Sequence, residues 1–517
     1  MMKNKVLLFG LGLCLLSGPV LAASTQDLQS LIMLGLRGNL GLKAGRFSVL
    51  SAREDVTAAA GAFDVELYAN GNLQRQKTPN SSNLIPQEYF DVEALLSEVG
   101  LRKRFATGLN ATLFANSSRL KDSSAVESLD PKYQSSLGLS LDQPLLRNGG
   151  AAVNRLDLSI AERERSRSDL VFLQRAQNLA LGVEVGYYDL LNARLEEFFR
   201  QDALELTRVL LQGNRRKLES GLIPVSEVQQ AETALAGREL DYVVARQQRE
   251  LRVHQLNGLL NNLLPENLSA AGEDGRPPQG LVRPGQAFVP VFADAFDNAR
   301  HSRPDLQIAA VAIDEGRLRE EAARNRQRPQ LDLHLEFQAN GLSGEERSSA
   351  SIPYAGAWND SFASMASADG YLWGAGLQFS YPLGNRSARS GYKKARLQSA
   401  RERTNRRELL LQVETELRER LTQVQRLGEL VEVSSRFQDL AEISYRQENR
   451  RLEEGLSDTF RVLDFQEKMI SAKINHIAAL IEYNKGLASL SYAMGSNLLR
   501  HGIVADLSGE EIRFDEN

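Results

Sequence analysis

Five histidines, at positions 254, 301, 334, 476 and 501, are the side chains best suited to hold a metal ion or carry a proton near neutral pH. They are scattered, and no HExxH spacing joins them, so surface or packing roles are expected. The chain has no glycine-rich phosphate loop and no nucleophile elbow. Acidic and basic residues are abundant, but they fall on the faces of helical stretches, where solvation and ion pairing account for them. The single cysteine, Cys14, follows Leu13 rather than the small residue a lipoprotein signal would want. Beyond it there is no disulfide framework and no thiolate metal site. The expectation is a protein that is not an enzyme and that takes no cofactor and no metal.

The address is clearer. Lys3 and Lys5 precede an apolar run from Val6 to Leu16, and Val20-Leu21-Ala22 fits a small-residue cleavage site. Residues 1–22 therefore read as a secretory signal cut after Ala22. The formal charge is −4, and two units more negative once Lys3 and Lys5 leave. That balance argues against nucleic acid as a partner. No later stretch reaches about eighteen apolar residues, so no membrane-spanning helix follows. An exported chain of this kind is either soluble or part of a β-barrel, since only helices and closed barrels span lipid.

The elements divide into two kinds. Phe63, Val65, Leu67, Ala69 and Leu73 alternate with polar residues, which predicts a strand with one apolar face. Val99 to Ser118 alternates too, as either a bent pair hinged near Thr107-Gly108 or a strand with an outer loop. Tyr133 to Leu141 is a third β-like stretch. It ends at Gln143-Pro144-Leu145-Leu146-Arg147-Asn148-Gly149-Gly150, where proline suits a strand's end and glycine a change of direction.

Helical spacing then runs from Asn154 to about Glu219. Leu173, Ala176, Ala180, Val183, Tyr187 and Leu190 recur at the steps of a coiled coil. A helix of that length extends roughly 100 Å and must pack laterally on other long helices. Ser220-Gly221-Leu222-Ile223-Pro224 is a turn. A returning helix, with Ser226 as a candidate cap, runs from Val225 to about Leu264. Before the first strand, Gln26 to Gly61 reads as helical with breaks around Gly35, Gly38 and Gly41.

The plan then repeats. Phe292 to Asn325 is helical with an interruption at Arg303-Pro304. Leu331 to Ala339 alternates, Gly341 to Gly370 reads as an exposed loop, and Tyr371 to Tyr381 alternates again. After Pro382-Leu383-Gly384-Asn385, a helix from Arg386 to about Glu453 carries Leu410, Val413, Leu417, Leu421, Val424, Leu427 and Val431. The turn Glu454-Gly455-Leu456-Ser457 precedes a last helix, about Asp458 to Met494, and an acidic, irregular tail. The turns themselves match: Arg216-Lys217-Leu218-Glu219-Ser220-Gly221-Leu222 against Arg450-Arg451-Leu452-Glu453-Glu454-Gly455-Leu456. The boundaries expected are a signal at 1–22, a first repeat at 23–264, a linker at 265–290, a second repeat at 291–496 and a tail at 497–517.

This order of elements, with Gln143-Pro144-Leu145-Leu146, Tyr381-Pro382-Leu383-Gly384, Arg303-Pro304-Asp305-Leu306 and the Gly221 and Gly455 turns, resembles the TolC-like outer-membrane efflux proteins. The resemblance implies a mostly α-helical fold with a β-barrel part. Three protomers of a homotrimer would share one barrel in outer-membrane lipid, continued by a long periplasmic coiled-coil barrel. It implies an efflux or type I secretion duct, fed by an inner-membrane pump of RND or ABC type through a periplasmic adaptor (membrane fusion) protein. Gly221, Leu222, Gly455 and Leu456 would then be adaptor-docking tips. Asp464, Arg461 and Glu227, just past the turns, would be periplasmic gate residues. Arg461 stands where the family often has an acid. Tyr68, Tyr133, Trp373, Phe379 and Tyr381 would suit interfacial girdles. The competing reading is a periplasmic or surface coiled-coil interaction protein without a pore.

Overall fold

The computed structural model describes residues 25–81, 87–124, 127–264, 281–347, 353–367, 369–507 and 512–516. The predicted signal and its cleavage site lie outside them, as does the first part of the predicted linker. Two compact units form, and each draws on both halves of the chain. Of the described residues, one contains those within 47–171 and 305–409; the other contains those within 25–46, 172–304 and 410–516.

The first of these holds a six-stranded antiparallel sheet in the order β1 Val65–Pro79, β2 Tyr89–Arg104, β3 Asn110–Asp122, β4 Leu129–Pro144, β5 Gln330–Glu346 and β6 Gly370–Ser380. Its register sorts the side chains by chemistry. Leu67, Leu101, Leu113, Leu139, Phe337 and Trp373 form one row across all six strands. A row on the opposite face reads Asn70, Glu98, Asn116, Ser136 and Asn340. Alternation of side chains across a pleat gives one face that suits lipid and one that suits water.

The ambiguous region Val99 to Ser118 is thus a hairpin, with Phe105 and Leu109 closing a turn over Thr107-Gly108. Among the described residues four strands precede the first long helix, as the bent-pair alternative has it. Tyr68 is a correction to the girdle expectation. It lies on the polar face, where a Cβ added at its partner Gly100 would fall 2.6 Å from its ring. Phe114 covers Gly138 in the same way, at 2.3 Å. Each aromatic ring fills the space that a glycine on the neighbouring strand leaves open. Trp373 and Phe379 sit exposed on the apolar face.

The predicted loop from Gly341 to Gly370 is more structured than its composition suggests. β5 runs on to Glu346, and a nine-residue helix, α8 Trp358–Ala366, packs against β4 and β5. The same unit contains the short α3 Ala151–Asn154, most of α7 Pro304–Asn325 and the first part of α9 Arg386–Glu453. Inside it, Glu315 on α7 is buried with Glu164 and Glu402 nearby. Burial, reinforced by those two carboxylates, pushes its carboxyl above the usual range against the pull of Arg319 and Arg167.

The other unit is helical. α1 Thr25–Gly38 and the start of α2 Leu40–Ala60 are separated by Asn39 alone, so the expected breaks at Gly35 and Gly41 do not occur. α4 Leu156–Glu219 and α5 Val225–Leu259 form one hairpin, and α9 with α10 Thr459–Ala493 form the other. The predicted seams are inside in most positions, while Leu173, Leu410, Leu421 and Leu427 are half-buried. Ala176, Ala180, Val183, Tyr187 and Leu190 are buried on α4, and Val413, Leu417, Val424 and Val431 on α9. α5 stops at Leu259 rather than Leu264, because Asn261 and Asn262 take left-handed backbone conformations and Asn261 donates to the Gly38 carbonyl at 2.6 Å.

The linker's second part is pinned. Asn484 of α10, fully buried, accepts from Val282 N and donates to Val282 O, both at 3.0 Å. α6 Phe292–Ser302 and Pro304 follow it. Arg303 ties that junction down. It pairs with Glu416 at 2.7 Å and donates to the Ala493 carbonyl at 2.9 Å.

The tail is not irregular. α11 Asn497–Arg500 leads to a hairpin of β7 Ile503–Asp506 and β8 Arg513–Glu516, with Phe514 stacked on Phe172 at 6.0 Å. Arg500 and His501 close on buried Glu184, the histidine at 3.0 Å.

Candidate functional site at the two helical turns

The two turns are built alike. At the first, Leu222 N donates to Lys217 O at 2.8 Å and Gly221 N to Leu218 O at 2.9 Å. At the second, Leu456 N donates to Arg451 O at 2.8 Å and Gly455 N to Leu452 O at 3.2 Å. This pair of bonds is the Schellman helix end, which requires a left-handed residue just past the helix. Gly221 at φ 70° and Gly455 at φ 77° supply it without steric cost. The leucine after each glycine is left in solvent, Leu222 at 73% and Leu456 at 65% exposure.

The helix starts that follow differ. Asp458 caps α10, accepting from Arg461 N at 2.8 Å. α5 starts after Pro224, and no side chain caps it. Ser226, the expected cap, lies within the first turn of the helix. Glu227 instead reaches the other hairpin, where its Oε2 accepts from Thr459 N at 2.9 Å. The carboxylate therefore satisfies an orphan donor at the start of α10 and sits at the positive end of that helix.

Other polar groups stitch the hairpins together behind the turns. Asn214 Nδ2 donates to Thr459 Oγ1 at 2.8 Å, and both residues are buried. Gln466 Nε2 donates to the Ala203 carbonyl at 3.3 Å. Arg238 of α5 pairs with Glu467 of α10. Glu448, buried beside the second turn, is held by Ser457 and by Arg451 at 3.3 Å. Ala203, Met469 and Ile470 form an apolar cluster with Leu206, Tyr445 and Ile474 against it. Burial pushes the Tyr445 phenol up, and Asp202 adds to the shift.

Of the three gate candidates, only Glu227 bridges the hairpins. Arg461 and Asp464 are exposed. Arg461 leans back toward Asp458 at 3.9 Å, and Asp464 pairs with Lys468 at 2.7 Å. Asn214, Thr459, Gln466 and Glu448 escaped the sequence reading. Their one signal was a polar residue standing where the helical period calls for an apolar one.

The chain belongs to the outer membrane efflux protein family, whose model matches residues 87–262 and 295–496. The fold is that of solved outer-membrane channels. OprN is 16% identical, with a TM-score of 0.62 over 91% of this chain and 90% of its own. CmeC of Campylobacter jejuni is 14% identical, with a TM-score of 0.61 over 91% and 86%. VceC of Vibrio cholerae is 13% identical, with a TM-score of 0.59 over 91% and 96%. No curated protein matches the chain by sequence. Its place is the outer membrane, with the helical part in the periplasm.

Proposed function

We propose that three copies of this chain form an export duct, which passes substrates handed over by an inner-membrane pump and a periplasmic adaptor. The observation that carries this reading is the sheet. Six strands with one apolar and one polar face bury neither face alone, and too few are present to close on themselves in lipid. Among the described residues β1 and β6 each have one strand neighbour. β1 runs antiparallel to β6, so β1 of one copy can pair with β6 of the next. Six strands from each of three copies make a barrel of eighteen, a size that leaves an aqueous channel.

The helices support the same assembly. Leu430, Val433, Phe437 and Leu440 form an exposed stripe on α9 at coiled-coil spacing, and Leu240, Val243, Val244 and Leu251 are exposed on α5. Such stripes suit neighbouring copies packed around a common axis. A coiled-coil interaction protein without a pore would explain these stripes, but it gives no role to a sheet whose apolar rows face outward.

Gly221, Leu222, Gly455 and Leu456 are proposed as the adaptor-docking tips, because two matched turns present bare leucines beside each other's hairpins. Photo-crosslinkers at Leu222 and Leu456 are expected to capture the adaptor in cells carrying the matching pump. Capture only from sites between Gly341 and Gly370 would reverse the orientation.

Glu227, Arg461 and Asp464 are proposed as the gate. Three copies of Glu227 bonded to Thr459 N would latch the hairpins, while exposed pairs such as Asp464–Lys468 contribute about 0.2–1 kcal/mol each. Single-channel recording decides the matter. Arg461→Glu should raise open probability and Asp464→Ala should lower cation preference. Unchanged conductance and selectivity in both would place these residues outside the gate.

A further inference from the structure

Helix α8 lies on the wrong side of the sheet for a plug. Ser117, Ser135, Gly341 and Ser343 share the face of Leu137, Leu139, Phe337 and Trp373, the face that meets lipid. α8 is seated on those four residues. Ser361, fully buried, meets the Ser135 hydroxyl, and Ser343 Oγ donates to the Ala357 carbonyl at 2.8 Å. A Cβ at Gly341 would fall 1.9 Å from the Ser361 carbonyl oxygen. The glycine is therefore the floor on which the helix rests.

The rows of Leu137 and Leu139 are apolar and continuous, whereas the row under α8 is serine and glycine. The helix thus covers the place where the greasy band of β4 and β5 ends. Its outer surface is mixed. Trp358 is 52% exposed and meets Phe362 edge to face at 4.9 Å, while its indole N–H is already held by Ser117 Oγ at 2.8 Å. Asn359 and Asp360 are exposed beside it. Asp360 is tied to the helix start, accepting from Ala357 N at 2.7 Å.

Hydrocarbon would strand the Asp360 carboxylate. Bulk water would leave a half-bare tryptophan–phenylalanine pair beside a lipid-facing wall. The layer between them satisfies both, because an indole with an apolar body prefers the headgroup boundary. We propose that α8 is an interfacial helix that seats each protomer against the outer leaflet. Trp358 and Phe362 enter the acyl boundary, and Asn359 and Asp360 stay among the headgroups. The inference rests on the sheet being part of a lipid-embedded barrel.

The chain contains two tryptophans, Trp358 and Trp373, so fluorescence separates the two claims. Trp373→Phe leaves Trp358 as the reporter, and Trp358→Phe leaves Trp373. The full assembly would be reconstituted in phosphatidylcholine vesicles brominated either near the headgroup end or near the tail of the acyl chain. Trp358 is expected to lose about half its emission to shallow bromines, less to deep ones, and to be shielded several-fold from aqueous iodide. Trp373 should respond most to deep bromines. Iodide quenching of Trp358 like that of free tryptophan, or no response to bromine or iodide, overturns the interfacial helix. Trp373 escaping bromine at every depth is a different failure, that of the barrel reading itself.

Discussion

Leu417→Asp should abolish the folded protein. Leu417 lies in the α9 seam with no solvent exposure, between buried Val413 and Val424. Losing a buried leucine side chain costs about 2–5 kcal/mol through lost transfer and the cavity left behind. The aspartate adds a second cost, since its carboxylate must be protonated or draw water into the seam. Domains hold only about 5–15 kcal/mol of net stability, so the sum is a large part of the total. The check is the amount of protein in outer-membrane fractions and its helix content by circular dichroism. Normal recovery with normal helicity would mean that this seam does not hold the α9 hairpin.

Phe437→Asp should do something different. Phe437 is half-exposed on the stripe with Leu430, Val433 and Leu440, so the protomer itself has little to lose. In the proposed ring each copy would bury that side chain against its neighbour. Burial of a phenylalanine is worth about 1.5–3 kcal/mol, and threefold symmetry repeats the loss at every interface. The expected outcome is a chain with unchanged helix content that runs as a monomer on unheated gels. A normal trimer would show that the stripe faces solvent or lipid. The contrast with Leu417→Asp matters, because one substitution removes the fold and the other only the assembly.

What the sequence made legible was what repeats locally. α9 runs from Arg386 to Glu453 as its period predicts, and both glycine turns fall where their residues say. The hairpin of β2 and β3 was half hidden. Lys103 interrupts its apolar row, and Gly100 leaves its polar face bare for a reason that lies on β1, where Tyr68 supplies the missing bulk. Helix α8 was invisible because its amphipathic stripe is defined by the sheet beneath it, not by its own alanines and serines. The tail hairpin was missed for a similar reason, since its anchors, Phe172 and Glu184, belong to α4. At the turns, the resemblance singled out Glu227 as a gate charge. Its observed partner, Thr459, is 232 residues away in sequence, and no local pattern carries such a link.

The proposed duct requires that β1 of one copy closes against β6 of the next, three times. Cysteines at Ala69 on β1 and Ala375 on β6 test it directly, since both lie on the apolar face and the chain downstream of Ala22 has no cysteine of its own. Outer membranes carrying this variant would be solubilised, treated with a flexible bifunctional maleimide and resolved on denaturing gels. A barrel shared by three copies gives a ladder of one, two and three linked chains that stops at three. Single chains alone, or a ladder that runs past three, would contradict it.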